Sequence, residues 1–375
     1  MTAPAASVAI ALGTRPEAIK LAPVIRQLRK AEAVEVQVIL TGQHREMVDR
    51  VMQLFDLRVD RDLQIVRERH TLTELTCRSL EGLAELFQQL QPEMVLVQGD
   101  TTTAFAAALG AFYQKVPVGH VEAGLRSHDL ANPYPEEANR RLISQLAELH
   151  FAPTRSAVAN LERSGVSGEI HHTGNTVIDA LLSVAERHPD CPVEGMAWQD
   201  YRVLLVTVHR RESWGAPLQG IAAGLRRILD RFPDTALLLP LHPNPAVGDS
   251  MRKQLGDHPR AFLTAPLSYP QLVGAIQRCH LLLTDSGGLQ EEAPSLGKPV
   301  LVLRETTERS EAIAAGTARL VGVDPDRILA AASELLSDAA SYRAMAAASN
   351  PFGDGRAAER ILQAVRNRFQ LAVRG

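Results

Sequence analysis

The sequence predicts an α/β protein made of two tandem domains, each built on a parallel β-sheet. Short β-branched or aliphatic runs alternate with longer segments of helical period, as in strand–helix–strand units whose helices cover both faces of a sheet. The alternation occurs in two series, and a polar stretch at residues 186–200 lies between them. The length of 375 residues agrees with two domains, because a single hydrophobic core stops growing at about 250–300 residues.

In the first series, the runs with the character of buried strands are Val8–Leu12, Val36–Thr41, Met94–Gln98 and Val116–Val121. The segments of helical apolar spacing between them are Ala18–Lys30, Thr71–Leu90 and Thr103–Gln114. In the second series, the predicted strands are Arg202–Thr207, Ala236–Pro240, Ala261–Thr264, Leu281–Thr284 and Val300–Leu303. Because turn signals bound these runs, each series predicts strands joined by crossover helices.

The passage between the domains is expected at about residues 171–175. We therefore assign residues 1–170 to the first domain and residues 171–355 to the second. The last segment, Gly355–Leu371, has the pattern of an Arg-rich amphipathic helix that packs against a domain. We assign this helix, at about residues 356–375, to the first domain.

Composition excludes several classes of protein. With 45% hydrophobic residues, 22% charged residues and a net charge of −3, the chain is neither disordered nor suited to nucleic acid or an anionic membrane as its main partner. The apolar start of the chain is interpreted as a first strand instead of a signal peptide. Cys77, Cys191 and Cys279 lie far apart without zinc-site spacing, so we expect reduced thiols, no metal site and a cytoplasmic protein.

Ligands of open parallel sheets bind beyond the carboxyl ends of the strands, so the loops there are the candidate sites. The first such loop begins at Gly13, which permits a tight turn, and Pro16 suits the first turn of the next helix. Arg15 and Lys20 place positive charge near that helix start, which opposes the helix dipole unless an anion binds. The loop therefore predicts an anion site. The alternative is a helix start with solvated charges.

The second loop joins a predicted strand to a helix through Ser286, Gly287 and Gly288. Paired glycines allow a ligand to approach the backbone closely, and the N–H groups with the Ser286 hydroxyl can hold a diphosphate. Glu292 lies one helical turn beyond Gly288, where a carboxylate can accept hydrogen bonds from ribose hydroxyls. Many helices also begin with such a turn, so the glutamate strengthens the prediction.

Acidic residues follow two adjacent predicted strands. Asp100 and Glu122 come directly after these strands, so we expect both carboxylates near one pocket. Asp100 has an alternative role as the N-cap of the following Thr-rich helix. Glu136 follows Pro135 in the first turn of another helix, where the helix dipole alone can explain a glutamate.

A fourth loop ends the first strand of the second series and contains His209, Arg210 and Arg211. A histidine and two arginines at a strand end can bind phosphate or transfer protons. His242 lies in another strand-end loop stiffened by prolines, and Arg309 follows a later strand.

Ten segments between Gly13 and about Gly355 match the motifs of one known family, in order: GTRPEAIKLAPVI, TGQHREM, GDTTT, GHVEAGLR, PEEANR, TGNTVIDAL, VTVHRRE, HPNP, TDSGGLQEEAPSLGKPVLVLR and TTER. By these segments the chain resembles the non-hydrolysing UDP-N-acetylglucosamine 2-epimerases. The resemblance implies the GT-B fold, with two Rossmann-like domains facing an interdomain cleft. It also implies reversible conversion of UDP-GlcNAc to UDP-ManNAc for bacterial surface polysaccharides, without metal or cofactor, by a homodimer.

The resemblance also implies roles for individual residues. The catalytic positions are Asp100, Glu122, Glu136 and His209. The UDP-binding positions are Arg15, Lys20, Ser286, Gly287, Gly288, Glu292 and Arg309, with main-chain contacts to uracil from the loop Leu267–Leu272. Bacterial members bind a second UDP-GlcNAc as an activator, and the matching positions are Gln43, His44, Arg69, His70, Glu136, Arg210 and His242.

Two residues depart from the family pattern. His70 stands where members with the activator site commonly have Gln. This change bears on the strength of activation, because imidazole offers fewer hydrogen-bonding groups than an amide. Ser310 stands where Pro is usual, which should only loosen a turn.

The chemistry implied by the resemblance is elimination of UDP to a 2-acetamidoglucal intermediate, followed by re-addition of UDP. Cations at the diphosphate would stabilise the charge that develops on the leaving group. Removal and return of the proton at two faces of the sugar calls for separate acid–base groups, each contributing about 100- to 10,000-fold. Asp100, Glu122 and Glu136 are the candidates, and which carboxylate serves which face stays open.

Three other functions fit some of these features. A GT-B glycosyltransferase would need an acceptor and would release UDP stoichiometrically. A hydrolysing epimerase would release ManNAc and UDP, and a non-catalytic nucleotide-sugar sensor would bind UDP-GlcNAc without exchanging the proton at carbon 2. The combination of Asp100, Glu122 and His209 favours an epimerase over a sensor, because a binding protein does not require an acidic pair at the sugar.

Overall fold

The structure is a computed structural model that describes residues 6–42, 45–65, 71–210, 213–242 and 244–370. The chain divides into two compact units. The first runs up to Ala180 and resumes at Phe352, and the second comprises Leu181–Pro351. The first unit thus extends beyond the expected boundary after residue 170, which falls within a strand of the first sheet.

The first unit contains a seven-stranded sheet in the order β3-β2-β1-β4-β5-β6-β7, with every neighbouring pair parallel. Its strands are β1 Ala6–Leu12, β2 Val34–Leu40, β3 Arg61–Asp62, β4 Met94–Gln98, β5 Val118–Val121, β6 Leu149–Ala152 and β7 Glu169–His172. Its helices are α1 Arg15–Lys30, α2 Arg45–Leu54, α3 Leu72–Leu90, α4 Thr102–Tyr113, α5 Glu136–Leu146 and α6 Arg155–Arg163. The boundary between the units lies within α7, Thr176–Ala185.

The second unit contains a six-stranded parallel sheet in the order β10-β9-β8-β11-β12-β13. Its strands are β8 Arg202–Thr207, β9 Thr235–Pro240, β10 Ala261–Thr264, β11 Leu281–Thr284, β12 Val300–Val302 and β13 Ala318–Leu320. Its helices are α8 Ala216–Arg231, α9 Pro245–Leu255, α10 Tyr269–Arg278, α11 Gly287–Glu292, α12 Ser310–Ala314, α13 Pro325–Ser337 and α14 Ala339–Ala346. Short 3-10 helices occur at Trp198–Asp200 and Ala293–Leu296.

The last helix, α15 (Ala357–Arg368), belongs to the first unit and contacts α1. The predicted helix began at Gly355, and its predicted end at Leu371 lies outside the described residues. Two N–H groups at the start of α15 donate to the carboxylate of Asp179 in α7, at 3.2 Å from Ala357 and 2.8 Å from Ala358. These hydrogen bonds satisfy donors that a helix start leaves without intrahelical partners.

The two parallel sheets confirm the predicted α/β class. Four predicted strands agree in both ends with β4, β8, β10 and β11. The strands β3, β6, β7 and β13 were not predicted, because polar or charged side chains interrupt their two to four residues, which read RD, LHFA, EIHH and ARL. Such strands lack the apolar run that identifies a buried strand from sequence.

Both sheets reverse their strand order at one place, between β1 and β4 in the first and between β8 and β11 in the second. The loops that leave the two central strands at such a point diverge to opposite faces and open a crevice where ligands bind. The loops after β1, β4, β8 and β11 are therefore the candidate ligand-binding loops.

Among helices of the described residues, none is both long and apolar enough to cross a bilayer.

A buried histidine in β5 should make stability depend on pH. His120 is fully buried, and its Nε2 lies 2.7 Å from the carbonyl oxygen of Gly99. Burial lowers the pKa of His120 from 6.5 to about 3. Between these values the unfolded chain binds a proton that the folded chain does not. The free energy of unfolding should therefore fall as the pH drops below about 6.5, by up to about 1.4 kcal/mol per pH unit.

Urea unfolding of the wild type and of His120→Asn between about pH 7 and about pH 5 measures this effect. The variant should show a shallower pH dependence, since asparagine retains an N–H donor but does not titrate. His188→Asn, at an exposed position, is the matched control and should keep the wild-type slope. Equal slopes for His120→Asn and the wild type would contradict the prediction.

Candidate active site

A buried carboxylate, Glu17, ties the loop after β1 to the loop after β4. Its Oε2 accepts hydrogen bonds from the N–H groups of Gly13 at 3.1 Å and Thr14 at 2.7 Å, and its Oε1 accepts one from the Thr101 hydroxyl at 2.7 Å. Burial raises the pKa of Glu17, and these hydrogen bonds partly offset that rise. No role was predicted for Glu17, although a glutamate three residues after an N-cap threonine is a capping signal.

Glu122 follows β5 and is held by three side chains from separate parts of the first unit. Its carboxylate accepts hydrogen bonds from Lys20 Nζ at 2.6 and 2.7 Å, from Asn175 Nδ2 at 3.0 Å and from Gln98 Nε2. Glu122 is buried, and its backbone has a φ of 63°, a strained conformation for a non-glycine residue that is enriched at functional sites. The structure thus joins Lys20, predicted to bind UDP, to a predicted catalytic carboxylate.

Asp100 follows β4, the neighbour of β5, and forms an ion pair with Arg140 of α5 at 2.5 Å. The alternative N-cap role for Asp100 is wrong, because Thr101 caps α4. The Asp100 side chain is 25% exposed, so its carboxylate can reach a ligand. The residues that end the two strands, Gln98 and Val121, are register partners, which places the loops carrying Asp100 and Glu122 side by side.

The two glutamates at the start of α5 have different surroundings. Glu137 is fully buried and accepts hydrogen bonds from Ser127 N–H at 2.9 Å, Arg141 Nε at 2.9 Å and Arg140 at 3.4 Å. Burial raises the pKa of Glu137, but these hydrogen bonds and charges bring it below its ordinary value. Glu136 is half-buried and makes no side-chain hydrogen bond or ion pair within the described part of the chain. Glu137 therefore holds the helix start, and Glu136 is left available.

In the second unit, Asp285 after β11 organises the loop after β8. Its fully buried carboxylate lies 3.0 Å from Nδ1 of His209. The same carboxylate accepts hydrogen bonds from His209 N–H at 3.1 and 2.9 Å, Arg210 N–H at 2.8 Å and the Ser213 hydroxyl at 3.1 Å. Burial raises the pKa of Asp285. The hydrogen bonds and the charge of His209, together with the hydrogen bond from the Arg210 N–H, outweigh this effect and lower the pKa below its usual range.

This arrangement sets the orientation of the His209 ring. An ionised carboxylate only accepts hydrogen bonds, so Nδ1 carries the proton and Nε2 is free to face a ligand. Asp285 was not among the residues predicted from the sequence. It stands inside a matched motif, immediately before Ser286, but its partners are about 75 residues away along the chain.

His242 lies next to His209, with the two rings stacked at 6.4 Å between centroids. Its Nδ1 accepts a hydrogen bond from the N–H of Asn244 at 3.1 Å. Three of the predicted activator positions, Arg210, His242 and Glu136, lie within the described residues. The others, Gln43, His44, Arg69 and His70, lie outside the described residues.

The turn between β11 and α11 brings Arg309 against Gly287. A Cβ atom on Gly287 would lie 3.2 Å from the guanidinium carbon of Arg309, so glycine permits this close approach. Arg309 is held by Glu291, with 2.8 Å between Nε and Oε1. Ser286 is the N-cap of α11, and Gly288 is its second residue. The structure thus places the predicted diphosphate residues of the second unit together.

Glu292 ends α11 and accepts a hydrogen bond from the Tyr269 hydroxyl at 3.2 Å. Both side chains are buried. Tyr269 is the first residue of α10, so the predicted uracil loop is a loop only around Leu267, while Leu272 is helical. Tyr269 was not predicted from the sequence, and it joins the predicted ribose residue to the segment that carries Leu267.

Arg15 is the first residue of α1 and is half-buried. Its guanidinium makes no hydrogen bond or ion pair to another residue within the described ranges.

Among the residues that the structure describes, no group of three or more His, Cys, Asp or Glu side chains could hold a metal ion.

The sequence model of one family, described as UDP-N-acetylglucosamine 2-epimerase, matches residues 26–366. The UDP-N-acetylglucosamine 2-epimerase of Escherichia coli K12 is 49% identical over 364 residues, which are 95% of this chain and 97% of that protein. The crystal structure of UDP-GlcNAc 2-epimerase from Neisseria meningitidis bound to UDP-GlcNAc is 42% identical, with a TM-score of 0.87, and covers 96% of this chain and 100% of that chain.

A similarity in fold alone extends further. The structure of the glycotransferase of kitacinnamycin has a TM-score of 0.65 at 13% identity and covers 98% of this chain and 100% of that chain. Together with the two Rossmann-like parallel sheets, these similarities confirm the predicted GT-B class.

Proposed function

The chain belongs to the UDP-N-acetylglucosamine 2-epimerase family, and we propose that it interconverts UDP-GlcNAc and UDP-ManNAc by inverting carbon 2 of the sugar. The observation that carries this function is the pair of carboxylates at the ends of two adjacent strands, Glu122 buried and Asp100 accessible. An epimerase needs to remove a proton at one face of the sugar and return it at the other, which calls for two such groups.

The reaction we propose eliminates UDP and then adds it back. A carboxylate takes the proton from carbon 2, the bond between carbon 1 and the UDP oxygen breaks, and a double bond forms between carbons 1 and 2. UDP then attacks carbon 1 again while a proton reaches the opposite face of carbon 2. Asp100, Glu122 and Glu136 are the proposed acid–base groups. Gln98 and Asn175 are proposed to position Glu122, and Lys20 also supplies positive charge.

We propose that the second unit binds the nucleotide. The N–H groups at Ser286–Gly288 and the Arg309 guanidinium would bind the diphosphate, where negative charge develops as the bond breaks. Arg15, in the first unit, stays a predicted UDP-binding residue. Glu292 would accept hydrogen bonds from the ribose hydroxyls, in the orientation that Tyr269 sets. Nε2 of His209, directed by Asp285, would contact the diphosphate or the sugar.

Incubation with UDP-GlcNAc in deuterated water, followed by proton NMR, tests this function. An epimerase yields UDP-ManNAc and incorporates deuterium at carbon 2 of both nucleotide sugars. Free ManNAc with UDP would indicate hydrolysis. UDP release only when an acceptor is present would indicate a glycosyltransferase, and binding without exchange would indicate a sensor.

Glu292→Gln should weaken UDP binding by about 10- to 100-fold, since hydrogen bonds to a charged acceptor contribute about 1.5–3 kcal/mol. Turnover at saturating substrate should change little, because the ribose does not react. Calorimetric titration with UDP measures the affinity. Glu334→Gln, which alters an exposed ion pair with Arg319, is the matched control in the same unit. Wild-type UDP affinity in Glu292→Gln would contradict the ribose role.

We further propose that a second UDP-GlcNAc activates the enzyme through a site that includes Arg210 and His242. The stacking of the His242 ring on the His209 ring supports this proposal, because a ligand that contacts His242 would also lie close to His209. His242→Ala should make the rate less sigmoidal in UDP-GlcNAc while turnover persists, and His188→Ala should behave as the wild type. If the kinetics of the wild type and His242→Ala are both hyperbolic, this proposal is wrong.

The setting of the enzyme is also proposed. Three free thiols, Cys77, Cys191 and Cys279, are typical of a reducing compartment and support a cytoplasmic location. A role in bacterial surface polysaccharide synthesis and a homodimeric state, both implied by the family resemblance, stay predictions. Size-exclusion chromatography with light scattering measures the oligomeric state.

A further inference from the structure

A basic pocket lies between α5, α6 and the loop after β5 in the first unit. Its volume is about 500 Å³, within the range of about 300–1,000 Å³ that is usual for small-molecule sites. Arg126 and His128 line it from the loop, Arg141 from α5 and Arg163 from α6, and no aspartate or glutamate is among its lining residues. We name this cavity the α5–α6 pocket. It shares no residue with the proposed catalytic, nucleotide or activator sets.

Two of its three guanidinium groups have only neutral partners in the described part of the chain. Arg126 donates to the carbonyl oxygen of Leu125 at 2.9 Å and to the Ser144 hydroxyl at 3.0 Å. Arg163 donates to the side-chain oxygen of Asn160 at 2.6 Å and to a backbone carbonyl at 3.2 Å. These bonds orient the guanidinium groups but leave their charges unbalanced.

The third guanidinium shares its counter-ion. Arg141 lies 2.9 Å from Glu137, whose carboxylate also accepts from Arg140 at 3.4 Å. By contrast, Arg304 has a carboxylate partner of its own, Glu308, at 2.8 Å. The α5–α6 pocket therefore concentrates positive charge that the described residues do not neutralise.

Partial burial makes the charge of Arg126 costly unless an anion is present. Burial lowers the pKa of Arg126, and the neighbouring Arg141 and Arg140 lower it further, against the opposing effect of Glu137. A bound anion would offset both the desolvation and the repulsion between the cations. Guanidinium groups bind phosphate oxygens in bidentate geometry, and an imidazole N–H adds another donor.

We propose that the α5–α6 pocket binds a phosphate-class anion, which is free phosphate, pyrophosphate or the phosphate group of a small metabolite. The proposal goes beyond the proposed epimerase function, since it requires no residue of that reaction. The several cationic side chains favour a polyanion over a carboxylate monoanion.

Calorimetric titration of the full chain with inorganic pyrophosphate, inorganic phosphate and glucose 6-phosphate tests the proposal and distinguishes the sources. Arg163→Ala should weaken pyrophosphate binding to the pocket by at least about tenfold, and His128→Ala should weaken it less. Arg58→Ala is the matched control, because Arg58 is 86% exposed in the same unit, and it should bind as the wild type does. Repeating each titration with UDP present separates any binding at the nucleotide site.

Arg163→Ala should also retain epimerase turnover, which shows that the variant is folded. Identical isotherms for the wild type, Arg163→Ala and His128→Ala would overturn the proposal, as would the absence of binding by all three anions. If instead Arg163→Ala changes the oligomeric state and no anion binds, the pocket is a contact surface for a second copy, and the proposal is wrong.

Discussion

Glu122→Gln should reduce epimerisation by about 100- to 10,000-fold, the range that a positioned acid–base group contributes. The amide is nearly the same size as the carboxylate but cannot take up or deliver the proton. It also places an NH₂ group among the donors of Lys20, Gln98 and Asn175, all of which now donate to this carboxylate. Conversion of UDP-GlcNAc and deuterium incorporation at carbon 2 together measure the loss.

Glu148→Gln is the matched control for this variant. Glu148 precedes β6, at the amino edge of the same sheet, and forms an exposed ion pair with Arg368. The same substitution there should leave turnover unchanged. Thermal unfolding of Glu122→Gln should show a cooperative transition, because Glu17 still links the loop after β1 to the loop after β4. Wild-type turnover in a folded Glu122→Gln protein would exclude a catalytic role for this glutamate.

Asp285→Asn should lower the rate at saturating substrate by about 100-fold or more and leave UDP affinity within about threefold. Asparagine has one oxygen acceptor, whereas Asp285 receives donors from His209, Arg210 and Ser213 on its two oxygens. The amide nitrogen would face N–H donors, and the ring of His209 would lose the acceptor that sets its tautomer.

The matched control is Asp234→Asn, in the same unit. Asp234 precedes β9 at the amino edge of the sheet and forms an exposed ion pair with Arg202. The comparison of rate and UDP affinity separates positioning of His209 from loss of the nucleotide site. An unchanged rate in Asp285→Asn would show that His209 does not depend on this carboxylate, and an equal loss in both variants would indicate general destabilisation.

Much of the fold could be predicted because buried parallel strands are short apolar runs with clear ends. The segment Leu281–Thr284 was predicted in full, since it is fully buried and a turn follows it. The polar strand β7, at the edge of its sheet, was not predicted. Its backbone pairing stabilises it without an apolar pattern, so no periodicity in the sequence indicates it.

Only those residues of the candidate site that lie in the loops and helix starts after a predicted strand could be predicted from the sequence. Asp100 and Glu122 were chosen because both follow predicted strands, and the register of β4 and β5 places those ends together. Asp285 was overlooked because its role depends on His209, 76 residues earlier in the chain. The same holds for Asn175, which is 53 residues from its partner Glu122.

From its residue order alone, this chain establishes two parallel α/β sheets, the loops that carry polar groups and membership of a nucleotide-sugar enzyme family. The sheets and the loops follow from local patterns, namely burial of apolar runs and glycine-rich turns at helix starts. The family membership follows from the resemblance of ten motif segments to those of a known family. The ion pair of Lys20 with Glu122, the orientation of His209 by Asp285 and the unbalanced charge of the α5–α6 pocket depend on the folded chain. Electrostatic and hydrogen-bonding energies fall off over a few ångströms of space, and distance along the chain does not indicate which side chains meet.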